Sequence, residues 1–108
     1  MIIQIKPLSV NQVWQGKRFK TPKYKSYEME LMLMLPPIKV DFKSDLQIDL
    51  TFGFSSKLAD IDNPLKPILD VLQKKYGFDD RQIYELNVKK EIVKKGDEFI
   101  KLKINEIR

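Results

Sequence analysis

Residues 46–54 of the chain read Leu-Gln-Ile-Asp-Leu-Thr-Phe-Gly-Phe. Large apolar residues alternate with Gln47, Asp49 and Thr51 along it. Successive side chains of a strand point to opposite faces, so the alternation predicts a strand with one buried and one wetter face. We therefore expect a sheet that contains residues 46–54 and that is covered on one face.

Two helices are predicted, one before this strand in the sequence and one after it. Thr21-Pro22 is a typical helix start, because Thr caps the first turn and Pro is tolerated at the first helical position. Residues 35–37, Leu-Pro-Pro, end that helix. A second helix is predicted from about Asn63 to Lys75, properly starting near Leu65, because its apolar residues fall on one stripe. Gly77 suits the residue just past its end.

The remaining strands complete an α+β pattern. They are predicted at Ile2–Ile5, Ile83–Val93 and Glu98–Ile107, with a short piece around Val40 and Phe42 and a loop over Leu8–Lys20. The last two long strands are expected to pair as an antiparallel hairpin through residues 94–97. The predicted fold is a single domain over residues 1–108, a two-layer sandwich with a mixed or mostly antiparallel sheet and two main helices on one face.

Composition restricts the chemistry that this chain can perform. The 108 residues include neither Cys nor His, which excludes thiolate nucleophiles, Ser-His-Asp catalysis and Cys- or His-ligated metals. Any catalysis must use carboxylates, Lys, Ser, Thr or Tyr. A bound metal should therefore be a hard cation with oxygen ligands.

Charge is unevenly distributed along the chain. The net charge is +5, with +4 on residues 1–35, −2 on residues 36–80 and +3 on residues 81–108. Solvated surfaces produce such patterns by chance, but a metal-dependent enzyme acting on a polyanion also needs carboxylates between cations. The lysines near the C-terminus alternate with apolar residues, which predicts a sheet with one wet face. These lysines are Lys89, Lys90, Lys94, Lys95, Lys101 and Lys103.

The sequence predicts neither a membrane span nor a signal peptide. The longest apolar run, Leu31–Leu35, is far shorter than a membrane-spanning helix. The N-terminus has no basic segment before an apolar one. The expected location is the cytoplasm.

Acidic residues between the central strand and the strand predicted at Ile83–Val93 form the main candidate site. Asp60 and Asp62 are two residues apart, so in an extended chain both side chains point the same way with room for a cation between them. Lys66 follows four residues later, and Asp79-Asp80 comes just after the second helix. If residue 83 begins a strand beside residues 46–54, Asp80 could lie near Asp60.

Each of these residues also has a simpler structural interpretation. Asp62 or Asn63 could cap the second helix, and Asp79-Asp80 could bond to its own backbone in a turn. Lys66 could be a solvated surface lysine. The combination of a closely spaced Asp pair, a following Lys and a later Asp pair is harder to explain in this way.

At these residues the sequence resembles the RusA-type Holliday-junction resolvases, a family of short endodeoxyribonucleases. The family pattern corresponds here to Asp60-Ile61-Asp62-Asn63, Lys66, Asp70 with Leu72, Gly77 and Asp79-Asp80. The opening Pro7-x-Ser9-x-Asn11 is also similar to the family's Pro-x-Ser-x-Asn stretch. Some members carry basic residues before the first Asp, whereas this chain has Leu58 and Ala59 there.

The resemblance implies a homodimer that binds four-way DNA junctions in recombination and repair and nicks two strands symmetrically. It implies Mg²⁺, with Mn²⁺ as a substitute, and no organic cofactor. The implied catalytic residues are Asp60, Asp62, Lys66 and Asp80, with the three aspartates as metal ligands. The expected setting is a bacterial or phage-infected cell.

The N-terminal loop supplies candidate DNA contacts. Cations there can hold phosphates, and an exposed aromatic can stack on a base, although large aromatics more often pack into a core. The candidate DNA-binding residues are Asn11, Lys17, Arg18, Lys20, Lys23 and Asn63. Trp14, Phe19 and Tyr24 lie among them, and Trp14 and Tyr24 are expected to anchor the loop to the core.

Two other functions remain open from the residues alone. The chain could be a non-catalytic nucleic-acid-binding module whose aspartates only cap and turn. It could also be a metal-dependent nuclease for other branched DNA, such as flaps or replication forks. Met29, Met32 and Met34 are candidate interface residues that core filling explains equally well.

Overall fold

The alternating stretch forms the central strand of the sheet. The structure is a computed structural model that describes residues 1–15 and 19–107. The strands are β1 (Ile2–Ile3), β2 (Trp14–Gln15), β3 (Phe19–Lys20), β4 (Leu46–Phe54), β5 (Ile83–Ile92) and β6 (Phe99–Glu106). The helices are α1 (Pro22–Met34) and α2 (Leu65–Tyr76), with short 3₁₀ turns at Val10–Gln12 and Asp80–Gln82.

Four strands form one mixed sheet in the order β1-β6-β4-β5. β4 is antiparallel to β6 from Leu46↔Glu106 to Gly53↔Phe99. On its other side β4 is parallel to β5, with Phe54 opposite Ile92 at the far end. β2 and β3 form a separate small antiparallel pair. The mixed α+β fold with two helices is therefore confirmed.

The predicted hairpin between the last two long strands is wrong. β5 and β6 lie on opposite sides of β4 and do not neighbour each other. α2 carries the chain back along β4, so β5 starts at the same end of the sheet as β4 and runs parallel to it. Residues 93–98 then cross to the other side of β4, where β6 pairs.

Two other strand predictions also change. β1 ends at Ile3 rather than Ile5. Val40 and Phe42 are not in a strand, and their side chains pack against the core as part of the loop before β4. The predicted loop over Leu8–Lys20 contains a 3₁₀ turn and the β2–β3 pair.

The core lies between the two helices and one face of the sheet. β4 buries Leu46, Ile48, Leu50 and Phe52 almost completely, whereas Gln47, Asp49 and Thr51 are only half-buried on the other face. The helices contribute Tyr24, Tyr27, Leu31, Ile68, Val71 and Leu72. Leu35, just past the end of α1, is buried, while Met34 is 43% exposed.

The predicted helix ends are confirmed. The Thr21 hydroxyl accepts the Tyr24 backbone N–H at 3.1 Å, and Pro22 is the first residue of α1. Gly77 ends α2 with a φ of 74°, a conformation that glycine adopts without a Cβ clash. Among the described residues, no helix has the length and apolar character to cross a membrane.

Gly53 marks a close approach between β4 and β6. A Cβ on Gly53 would overlap the Phe99 ring, which lies directly across the strand pair. The missing side chain therefore makes room for the aromatic ring.

Candidate active site

The two candidate ligands Asp60 and Asp62 lie in a turn between the end of β4 and the start of α2. Both side chains are exposed. The Asn63 backbone N–H and side-chain amide donate to the backbone oxygen and to Oδ2 of Asp60, each at 3.4 Å. Asn63 thus braces the turn from within.

Neither Asp62 nor Asn63 caps α2. Pro64 occupies the N-cap position, and no side-chain cap hydrogen bond is formed there. Asp62 contributes its backbone carbonyl, which accepts the Leu65 N–H at 3.1 Å. The capping interpretation is therefore wrong for the start of α2, and it leaves the exposed carboxylates without a structural role at this helix end.

The Pro-x-Ser-x-Asn stretch packs against the same turn. The Val10 backbone N–H donates to the Asn63 carbonyl at 2.8 Å. The Ser9 hydroxyl accepts the Asn11 N–H at 3.2 Å and caps the 3₁₀ turn. A cleft of about 200 Å³ lies between the two segments, with Lys6, Pro7, Ser9, Gln12, Phe54, Ala59, Asp60, Asn63 and Pro64 as its lining. The two sequence motifs therefore share one surface.

Lys66 lies on the exposed side of α2, in its first turn. Its Nζ is 2.8 Å from Asp70 Oδ1, one helical turn further along. The hydrogen bond to Asp70 raises the pKa of Lys66, and the nearby negative charge of Asp80 adds to this effect. Lys66 is therefore held as a cation with two acidic neighbours.

The two aspartates after α2 have different environments. Asp79 caps the 3₁₀ turn by accepting the Arg81 N–H at 2.9 Å, and the Arg81 Nε lies 3.3 Å from the same oxygen. These Arg81 contacts lower the pKa of Asp79. Asp80 is exposed, and its backbone N–H donates to Gln73 Oε1 at 3.0 Å. The turn interpretation is thus confirmed for Asp79.

Asp60 and Asp80 belong to opposite ends of the β4–β5 pair. Asp80 precedes the end at which Leu46 pairs with Ile83, and Asp60 follows the end at which Phe54 pairs with Ile92. The sequence left open whether a strand from Ile83 beside β4 would bring Asp80 near Asp60. That strand is present, but it starts at the end of β4 opposite the one that Asp60 follows. Across residues 1–15 and 19–107, no three acidic side chains are grouped closely enough to hold a metal ion.

The basic loop is partly described. Lys17 and Arg18 fall outside the described residues, so their predicted contacts are not placed. Lys23 is exposed, and the Lys20 Nζ lies 4.2 Å from the ring centroid of Tyr24 and 4.8 Å from that of Trp14. Both distances are typical of cation–π contacts.

The aromatic residues of this region divide into two groups. Tyr24 is 2% exposed and belongs to the core, as expected. Trp14 and Phe19 are 52% and 71% exposed, so the expectation that Trp14 anchors the loop in the core is wrong. Trp14 therefore presents an exposed ring beside Lys20, and Phe19 presents a second exposed ring on the paired strand.

Sequence reasoning missed Lys90. It was assigned to the wet face with its neighbours, but in the sheet it pairs with buried Phe52, on the side that the helices cover. Its Nζ donates to the carbonyls of Lys57 and Ala59, immediately before Asp60. The available signal was its spacing, because Leu86, Val88 and Lys90 share one face and the lysine interrupts an apolar series.

Comparison with models of known protein families gives a match. The model of the family described as Endodeoxyribonuclease RusA matches residues 6–105, which is nearly the whole chain. The protein belongs to the RusA endodeoxyribonuclease family. Among curated proteins, none matches the sequence. Membership of the family implies an endonuclease that resolves Holliday junctions, and RusA nucleases are generally dependent on a divalent metal.

The donor chemistry at Asp60 and Asp62 suits a RusA-type metal. Mg²⁺ prefers carboxylate oxygens, retains several waters and often uses only one or two protein carboxylates. Asp60 and Asp62 provide two exposed carboxylates at one turn. Both are of the ligand type that Mg²⁺ takes, and in the part of the chain that the structure describes Asp80 is not grouped with them closely enough to complete a three-carboxylate site.

Proposed function

We propose that this RusA-family protein is a Mg²⁺-dependent, structure-selective endodeoxyribonuclease that resolves four-way junctions by paired symmetric nicks as a homodimer. The observation that carries the proposal is the Asp60–Asn63 turn. Its two aspartates are exposed and do not cap the helix, and the turn is bonded to the Pro7–Asn11 segment. Lys66 lies in the first turn of the helix that follows.

Asp60 and Asp62 would hold the metal in this proposal. A bound Mg²⁺ supplies a water of lowered pKa and neutralises charge at the scissile phosphate. The protein contributes the geometry of the turn, since Asn63 braces Asp60 through its backbone N–H and side-chain amide. These bonds would reduce the ordering cost of presenting the Asp60 carboxylate to the metal.

Lys66 acts as a cation in this mechanism. The hydrogen bond to Asp70 favours its protonated form, so it is a poor proton acceptor near neutral pH. An ammonium group next to the metal-binding turn would neutralise charge on the phosphate as the bond breaks. Asp80 is the third predicted acidic member of the catalytic set. Its ligation of metal stays a prediction, and its negative charge contributes to the field at Lys66.

The proposed DNA path follows the N-terminal segment. Asn11 and Lys23 are exposed on it, and Asn63 lies half-buried at the contact with Val10. Lys17, Arg18 and Lys20 complete the predicted phosphate contacts. Each of the exposed rings of Trp14 and Phe19 could stack on an unpaired base at the junction centre.

A homodimer fits the symmetry of the substrate. Two strands of a four-way junction are related by near two-fold symmetry, so a two-fold dimer presents one active site to each. α1 exposes Met29 and Leu33 by 65% and 82%, and we assign this apolar helix face to the dimer contact. The proposed setting is the cytoplasm of a bacterial or phage-infected cell.

The deciding experiment measures nicking of a synthetic four-way junction. The wild-type protein should nick two opposed strands with Mg²⁺ or Mn²⁺ and lose this activity in EDTA. Asp60→Asn should abolish nicking and retain junction binding, while Asp45→Asn, at an exposed site before β4, should behave as wild type.

Other outcomes would contradict the proposal. Salt-sensitive binding without cleavage would indicate a non-catalytic module. Faster cleavage of flaps or forks than of four-way junctions would indicate a nuclease of different specificity. Normal nicking by Asp60→Asn would remove Asp60 from the site.

A further inference from the structure

Lys90 occupies an unusual position for a lysine. It lies on β5 opposite Phe52, which is fully buried on the helix-covered face of the sheet. The preceding residues on the same face of β5 are Leu86 and Val88. Lys90 is half-buried, so the alternation puts a cation where an apolar residue is expected.

The Lys90 ammonium group is used to hold the loop that leads to the active-site turn. Nζ donates to the Lys57 carbonyl at 2.9 Å and also to the carbonyl of Ala59. It lies 6.0 Å from the centroid of the Phe54 ring, at the end of β4. One side chain on β5 therefore binds two backbone carbonyls in the segment between Phe54 and Asp60.

The bonds matter because this segment has few other supports. Its residues 55–58 are exposed. The backbone bonds there are short-range, such as the Ala59 N–H to the Ser56 carbonyl at 3.3 Å. Carbonyl groups that lose a charged donor become poorly satisfied, and a short loop then opens more often.

We propose that Lys90 is a positioning residue that fixes the Lys57–Ala59 loop and so sets the placement of the Asp60 carboxylate. This inference rests on the proposed function for its catalytic consequence, but the fixing of the loop stands on geometry alone. Lys90 acts through the loop and does not touch substrate. Its role is distinct from that of Lys66, whose charge faces Asp70.

Hydrogen exchange measured by mass spectrometry tests the structural step. Lys90→Met removes the donor and retains most of the side-chain length. Amides in peptides covering residues 55–63 should then exchange about tenfold faster, which corresponds to the loss of one charged hydrogen-bond anchor. Peptides from β6 should be unchanged. Lys89→Met, at the exposed neighbouring position on the other face, is the matched control.

Kinetics of junction nicking test the functional step on the same proteins. Misplacing a catalytic group slightly can lower kcat by about ten- to a hundredfold. Lys90→Met should show such a loss while its junction affinity, measured in EDTA, equals that of wild type. Lys90→Arg keeps a cationic donor and should restore loop protection and most of the activity.

The outcomes are separable. Unchanged exchange over residues 55–63 in Lys90→Met overturns the inference, as does a loosened loop with wild-type kcat. Loss of junction affinity in EDTA would make Lys90 a DNA contact, which also overturns it. If amide exchange in β6 also rises in Lys90→Met, the Lys90→Arg variant decides the question. A folded Lys90→Arg protein in which residues 55–63 still exchange faster than in wild type overturns the inference as well. A wild-type protein that nicks nothing refutes the proposed function, and the exchange result still decides the loop contact.

Discussion

The backbone N–H of Val10 donates to the carbonyl oxygen of Asn63 at 2.8 Å. This bond joins two stretches that lie far apart in the sequence. The Pro7–Asn11 segment and the Asp60–Asn63 turn consequently form one surface, with a cleft between them. A loop backbone group without a partner is costly to bury, so each segment stabilises the other.

The neighbouring aspartates 79 and 80 should respond differently to substitution. Asp79→Ala removes the cap of the 3₁₀ turn and should lower the free energy of unfolding, with nicking retained. Asp80→Asn should leave stability unchanged and reduce nicking by about a hundredfold or more, since it removes a predicted metal ligand. Urea denaturation and single-turnover nicking measure the two effects. Normal nicking by Asp80→Asn would exclude Asp80 from the catalytic set.

The Lys66–Asp70 pair should set the alkaline limit of the reaction. Asp70 raises the pKa of Lys66, so the cation persists below its raised pKa and is lost only as the pH rises through that value. Asp70→Asn removes the main cause, and the alkaline decline of nicking should move to lower pH. The exposed pair itself contributes only about 0.3–0.5 kcal/mol to stability.

A pH profile of single-turnover nicking checks this prediction. Asp70→Glu keeps the charge and should retain an alkaline limit above that of Asp70→Asn. Lys66→Met should lose activity at every pH. An unchanged alkaline limit in Asp70→Asn would show that the titration belongs to another group.

Lys23 should contribute to junction affinity through phosphate. It is exposed in the first turn of α1, beside the basic loop. Lys23→Gln should weaken binding of all DNA forms similarly and lower the slope of log K against log salt by about 1. Lys39→Gln, at an exposed site before β4, is the control. Equal slopes for the two variants would contradict a DNA contact at Lys23.

Gly53 and Phe99 should be coupled in stability. A Cβ at Gly53 would overlap the Phe99 ring, so Gly53→Ala should cost about 1–3 kcal/mol. With Phe99→Ala the space is free, and the double variant should lose less than the sum of the two single changes. Urea denaturation of the four proteins measures the coupling. Strict additivity would mean that the ring moves aside without cost.

Local signals in the sequence were sufficient to place the main elements. The alternation over residues 46–54 identified β4, and Thr21-Pro22 located the start of α1. The αL residue Gly77 ends α2 as predicted. These features depend on side chains that act on their own backbone or on one face of one element.

Strand order was harder to predict because it depends on contacts between distant segments. The loop at 94–97 resembles a hairpin connection, yet β5 and β6 lie on either side of β4. The strand-helix-strand order of β4, α2 and β5 was the available signal for a parallel pair. The missing strand order also left open whether Asp80 would lie near Asp60.

The position of β4 between β5 and β6 also affects how the chain can fold while it leaves the ribosome. Until Glu106 has emerged, one long edge of β4 has no antiparallel neighbour, and its apolar residues remain available to other nascent chains. The sheet therefore cannot be completed strand by strand as the chain is synthesised from the N-terminus, because β6 is made last and pairs with β4. A chaperone that shields residues 46–54 during translation should raise the yield of native protein.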